Sequence, residues 1–165
     1  MDSSVKTMKN HVYQIEVQWT GNLGTGTSSY QGYSRAHDIL VEGKEVLHAS
    51  SDVVFRGDGT KYNPEDLFLS SISSCHMLWY LHLCSDAGIV VHSYKDKASG
   101  ILSLEANGSG KFTEVHLRPE IVISDVHQID KAKELNHRAH EFCFIANSCC
   151  FPIFVHTNEV VAKFD

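Results

Sequence analysis

Apolar and polar residues alternate along residues 12–19, VYQIEVQW, with the two-residue period of a half-buried strand. A stretch rich in Gly, Ser and Thr follows, GNLGTGTSSYQGY, and then SRAHDILVEGKEVLHAS. The Glu42-Gly43-Lys44 centre of the latter predicts a hairpin turn between two short strands, so the first 50 residues predict a small antiparallel sheet. FRGDGTKY reads as a loop. Three helix-start signals then coincide: Asn63 can cap, Pro64 suits the first helical position, and Glu65 and Asp66 are acids in the first turn. This helix is predicted to run to about Ala87, where Gly88 supplies a left-handed stop. Apolar residues go nearly all the way round it, which predicts a central, buried helix.

Beyond it, VVHSYKDKASGILSLEA and KFTEVHLRPEIVIS, joined across NGSG, read as a second hairpin. From about Val126, Ile129, Ala132, Leu135, Ala139, Phe142 and Cys143 recur at near-helical spacing, predicting a second, amphipathic helix. FPIFVHTNEVVAKF closes the chain as one strand or two. There is no internal repeat. Strands, helix, strands, helix and strand, with connections that read as antiparallel, predict an α+β fold.

Size changes this picture little. The 165 residues and 18.4 kDa fit one domain, residues 1–165, with a sizeable core. Charge removes some partners: the net −6, from 14 Lys+Arg against 20 Asp+Glu, argues against nucleic acid or an anionic membrane. Leu67 to Cys84 is 18 residues long, the lower limit for a membrane span. Its Ser70, Ser71, Ser73, Ser74, His76 and His82 would be penalised in hydrocarbon, so burial against protein is expected instead. The opening MDSSVKTMKNH has no apolar stretch to serve as a signal peptide. Five cysteines, an odd number absent from the first 74 residues, do not make a secreted disulfide scaffold. A reducing cytoplasm is the expected location.

The candidate chemistry lies in those cysteines. Cys75 and Cys84 are nine positions apart on one predicted helix, facing opposite ways and about 13.5 Å apart along the axis. A disulfide needs Cα atoms within about 7 Å. Any partner of Cys75 therefore lies elsewhere; Cys143 is the obvious candidate, with Cys149 and Cys150 as rivals. Adjacent cysteines bond each other only with strain, so Cys149 and Cys150 are expected to be packing residues. The serines before Cys75 are expected to bond their own helix backbone or to admit a close neighbour.

Two motifs carry a resemblance. NPEDLFLSSISSCHMLWYLHL, with Cys75 ten residues after Glu65, and AHEFCFIANSC, with Cys143 before a short apolar stretch and Asn147-Ser148, resemble the osmotically inducible protein C and organic hydroperoxide resistance (OsmC/Ohr) family. Details such as SCHM and WTG…TGTSSY are closer to the OsmC side. The resemblance implies an OsmC/Ohr-like fold, antiparallel sheets around central helices in an intertwined homodimer. It also implies a thiol peroxidase acting in oxidative or osmotic stress defence. Cys75 would be the peroxidatic thiolate and Cys143 the resolving cysteine. Arg35, in YSRAHDI, would be the active-site arginine, paired with Glu65; Arg56, in the Gly-rich loop, competes with it for that place. Neither metal nor organic cofactor is required, and an external dithiol of the lipoyl type would be the reductant.

Elementary chemistry says why such a site wants an arginine. Cys75 is about eleven residues beyond the helix start, too far for the dipole, and burial alone would raise its pKa. A cation must come from elsewhere, with Glu65 holding its guanidinium by a bidentate pair. Lowering a thiol from ~8.5 to ~6 raises the thiolate at pH 7 from about 3% to about 90%, roughly thirtyfold. A nucleophilicity slope of ~0.4–0.5 takes back roughly ten- to eighteenfold. The larger expected effect is stabilisation of charge on the departing oxygen. Phe68, Leu69, Ile72, Leu78 and Trp79 around Cys75 favour an organic hydroperoxide over hydrogen peroxide. His76 reads as a helix-surface or interface hydrogen-bonding residue rather than a base. The alternatives are metal binding through His137, His140 and Cys143, whose spacing lacks a tight ligand pair, and a non-catalytic dimeric stress protein.

Overall fold

Pro64 and Gly88 bound the longest element, helix α1 (Pro64–Asp86), in a computed structural model that describes residues 10–162. Gly88 sits at φ +70°, the conformation that glycine adopts without steric cost. Its N–H donates to Ser85 O (3.1 Å) while that of Ile89 donates to Cys84 O (2.9 Å), the crossed pair that ends a helix at a left-handed residue. The predicted stop is met to within one residue. The predicted all-round burial is not: Ile72, His76, Tyr80 and Cys84 form one buried stripe at four-residue spacing, while Leu78 is 62% exposed. Within the unit that begins at Glu65, the apolar clusters gather on one side of this helix, which leaves Leu78 on the other.

The chain divides after Pro64 into two compact units. The first holds β1 (Glu16–Trp19), β2 (His37–Leu40) and β3 (Leu47–Ala49), an antiparallel sheet in that order. The expected turn is there, with Gly43 at φ +77° and Lys44 N–H on Val41 O (3.0 Å). β1 is shorter than the alternation over 12–19 predicts and exposed throughout rather than half-buried. Among its described residues the first unit has no α-helix to lie on this sheet and cover the apolar face.

The second unit adds β4 (Val91–Asp96), β5 (Ser99–Leu104), β6 (Gly110–Leu117), β7 (Pro119–Ile123), helix α2 (Ile129–Phe142), β8 (Ile153–Val155) and β9 (Val160–Ala162). One sheet runs β4-β7-β9, the other β5-β6-β8. The predicted second hairpin therefore exists but splits across two sheets, because both arms break at one level. Pro119 has no N–H for the ladder, and Asp96 Oδ1 takes the N–H of Arg118 at 2.7 Å in place of a ladder bond. Both C-terminal strands pair in parallel, β8 on β6 and β9 on β7, which corrects the all-antiparallel expectation. They follow α2, and a helical crossover returns the chain to a sheet in its original direction. The fold class, α+β, stands.

Two apolar clusters close the unit. Tyr80 and Cys84 of α1 pack with Ile121 and Ile123 of β7 and with Ala132, Leu135 and Ala139 of α2. Ile72 packs with Val115 and Leu117 of β6. Ser70, Ser71 and Ser74 bond the carbonyls three residues back, as expected, whereas Ser73 Oγ reaches Asp96 (2.6 Å). No helix among the described residues is long and apolar enough to cross a membrane. Residues 1–9 and 163–165 lie outside the described residues, and with them most of the opening segment read for a signal peptide and the end of the last predicted strand run.

Candidate active site

Cys75 sits in the middle of α1, one turn beyond Ile72 and one turn before Trp79, and is partly exposed. Cys143 caps the C-terminus of α2 in an extended conformation (φ −69°, ψ 106°) and is wholly buried. Both thiols are free. Cys143 Sγ is 3.9 Å from the carbonyl of Ile72 and accepts the N–H of Ala146 at 3.5 Å. The Cys75 thiol lies near enough to act on it electrostatically. Burial pushes the Cys143 thiol up to about 11; the Ala146 N–H pulls the other way, and the neighbouring Cys75 thiol adds to the rise. At neutral pH Cys143 thus keeps its proton, and the pair is asymmetric: one partly exposed sulfur, and one buried, protonated sulfur beside it.

Beside the thiols lies a buried polar pair that bridges the helices. His76 Nε2 and Asn136 Oδ1 are 2.7 Å apart, and both residues are fully buried. Burial lowers the His76 pKa, the Asn136 bond opposes that, and His140 and His137 lower it while Asp96 raises it. The ring is therefore neutral at pH 7, and with the amide oxygen as acceptor its proton is assigned to Nε2. His76 Nδ1 and Asn136 Nδ2 are left buried without a partner, at about 1–3 kcal/mol for each such atom.

A histidine whose folded pKa is depressed binds fewer protons than its unfolded counterpart, so its contribution to stability is lost as pH falls below about 6.5. Replacing His76 with Gln is expected to flatten the acid-side loss of urea midpoint between pH 7.5 and pH 5. The comparison with wild type isolates this residue from the other histidine–carboxylate pairs, His48–Asp38, His82–Asp86 and His116–Glu114. An unchanged slope would contradict the burial argument.

Comparison with known proteins places the chain. A family model described as OsmC-like protein matches residues 57–157. The chain belongs to the OsmC-like family. Among solved structures it is similar to an OsmC-like protein of unknown function from Vibrio cholerae, at 31% identity and a TM-score of 0.80 over 89% of this chain and 99% of that one. It is similar also to an organic hydroperoxide resistance protein from Elizabethkingia anophelis (21% identity, TM-score 0.62, 95% and 100% coverage). A third, an organic hydroperoxide resistance protein OsmC from Legionella pneumophila, has 18% identity and a TM-score of 0.63 over 93% and 98% of the chains. No curated protein matches.

Within this family member, the remaining candidate residues fall as follows. Glu65 lies in the first turn of α1, and its Oε2 is buried without a partner among the described residues. Arg35 belongs to the first unit, where Tyr30 and Tyr33 sandwich its guanidinium at 4.3 and 4.1 Å. It donates to Tyr33 O (2.6 Å) and Tyr30 O (2.9 Å). Arg56 is 6.0 Å from the Tyr30 ring, at φ +67°. His76 is not on the helix surface, since its partner Asn136 draws it inside. Cys84 packs in the core. Cys149 packs against the Ile72 cluster, but Cys150 is exposed, which corrects its reading as a packing residue. It lies on the rim of a groove of about 570 Å³ lined by Phe68, Phe112 and Phe151. His137 is exposed whereas Cys143 is interior, and no three His, Cys, Asp or Glu converge on a metal among the described residues.

Sequence reasoning placed Trp79 beside Cys75 but missed Asn136 and the packing of Phe142 and Phe144 on Trp79. Trp79 stacks near Phe142 (5.2 Å) and edge-on to Phe144 (5.5 Å), the two residues that flank Cys143. The spacing of Trp79 four residues after Cys75 was a usable signal. For Asn136 the signal was a polar residue on the apolar face of α2, between Leu135 and Ala139.

Proposed function

We propose that this protein is a cysteine-based hydroperoxide reductase, a thiol peroxidase of organic hydroperoxides. The observation that carries the reading is a partly exposed Cys75 beside a buried, protonated Cys143, near enough for each thiol to act on the other electrostatically. The Cys75 thiolate attacks one peroxide oxygen and the O–O bond breaks. The electron pair leaves on the other oxygen, which takes a proton and departs as an alcohol, while Cys75 becomes a sulfenic acid. The sulfur of Cys143 then attacks Cys75. The S–O bond breaks, and the departing hydroxide leaves as water with the Cys143 proton. An external dithiol reduces the disulfide by exchange and is itself oxidised.

In this scheme, following the family resemblance, Arg35 stabilises the charge that develops on the departing oxygen and Glu65 orients the guanidinium. The reacting species is an intertwined homodimer in a reducing cytoplasm, where a lipoyl-type dithiol returns the disulfide to thiols. The aromatic side chains of Trp79, Phe142 and Phe144 next to the thiols favour a peroxide with an apolar tail.

The test is turnover of tert-butyl, cumene and hydrogen peroxide with dihydrolipoamide as reductant. The two organic peroxides are expected to exceed hydrogen peroxide at least about tenfold in kcat/KM, the discrimination that one or two buried methyl-sized contacts supply. Consumption of none of the three above the uncatalysed rate would overturn the reading.

A further inference from the structure

Two side chains outside the thiol chemistry sit where they can govern it. α1 carries Cys75 and, next to it, His76; α2 carries Asn136 and ends at Cys143. Asn136 and Cys143 are seven residues apart, about two turns and about 10.5 Å, so they share one side of α2. The His76–Asn136 bond and the approach of Cys143 Sγ to Ile72 O are thus two fixings of the same helix pair, one on each side of Cys75 along α1.

An apolar pair would pack these helices without stranding polar atoms. The His76–Asn136 pair leaves Nδ1 and Nδ2 buried and unpartnered, so it is not explained by stability. What a buried polar pair supplies that an apolar one lacks is register: it is satisfied at one sliding position of the helices and at no other. Register is what a disulfide needs, since its Cα atoms must come within about 7 Å and its Cβ vectors must converge. The peroxide step has no such requirement, because it uses Cys75 alone.

We propose that His76 and Asn136 are positioning residues, a buried latch that sets Cys143 on Cys75 and thereby controls the disulfide-forming step and not the reactivity of Cys75. The role of that step in turnover rests on the peroxidase reading; the latch itself does not. Diamide separates the two. It oxidises two thiols to a disulfide and is reduced to the hydrazine, with no peroxide involved, and it reaches the pair through the partly exposed Cys75.

The decisive comparison is His76→Met against His76→Gln. The two side chains are close in shape, but only Gln carries an N–H for Asn136 Oδ1. Disulfide formation by diamide, followed by non-reducing peptide mapping of Cys75 and Cys143, is expected to slow at least about tenfold in H76M and to stay within about threefold of wild type in H76Q. Alkylation of Cys75 by iodoacetamide, measured in a Cys143→Ser background, is expected to be the same in both. Asn136→Leu, at the other end of the bond, carries the same prediction as H76M should neither His76 variant fold. Equal disulfide rates in H76M and H76Q, or a parallel loss of Cys75 alkylation, would overturn the latch. If wild type consumes no peroxide yet forms the diamide disulfide with this His76 dependence, the peroxidase reading fails and the latch stands.

Discussion

Cys75→Ser is expected to lower peroxide turnover at least ~10³-fold, the scale on which removal of a nucleophile acts. A serine hydroxyl is neither ionised at neutral pH nor oxidised by a peroxide, so no sulfenic acid can form. The fold should not notice. The change is isosteric at a partly exposed position, and the buried stripe of Ile72, His76, Tyr80 and Cys84 is untouched. Turnover within about tenfold of wild type, measured with tert-butyl hydroperoxide and dihydrolipoamide on protein with an unchanged urea midpoint, would remove Cys75 from the mechanism.

The second large effect falls on Cys143. In Cys143→Ser the first step is expected to proceed and then stall. Sulfenic acid on Cys75 should be trapped by dimedone in nearly every chain, disulfide should be absent, and turnover should fall at least about tenfold, since the dithiol must then attack a sulfenic acid directly. Serine is the informative substitution because its hydroxyl can still accept the Ala146 N–H and donate toward Ile72 O, two of the contacts that the Cys143 sulfur makes. In the wild type, burial holds Cys143 near 11, so the disulfide step should accelerate as pH rises from 6 to 9 while the peroxide step need not follow it.

Much of this was legible without coordinates, for physical reasons that differ by residue. Pro64 and Gly88 are local devices, since their backbone preferences act whatever surrounds them, and they mark the ends of α1 to within a residue. The Asn107-Gly108 turn is local in the same way, with Gly108 at φ +85°. What failed was non-local. Nothing in the run from Val91 to Leu104 tells that its two halves join different sheets, because the break depends on Asp96 meeting Arg118 and on Pro119 across the hairpin. Parallel pairing of β8 and β9 depends on where α2 returns the chain. The burial of His76 depends on Asn136, sixty residues away. The approach of Cys75 to Cys143 was expected through the two motifs taken together, whereas spacing alone left Cys149 and Cys150 as rivals.

The central claim is that the sulfurs of Cys75 and Cys143 form one redox pair. One equivalent of tert-butyl hydroperoxide added to the reduced wild-type protein, followed by intact mass and non-reducing peptide mapping, tests it most directly. The account predicts a loss of two hydrogens per chain and a bridge between the peptides of Cys75 and Cys143. Oxidation confined to Cys149 or Cys150, with Cys75 and Cys143 both recovered as thiols, would contradict it.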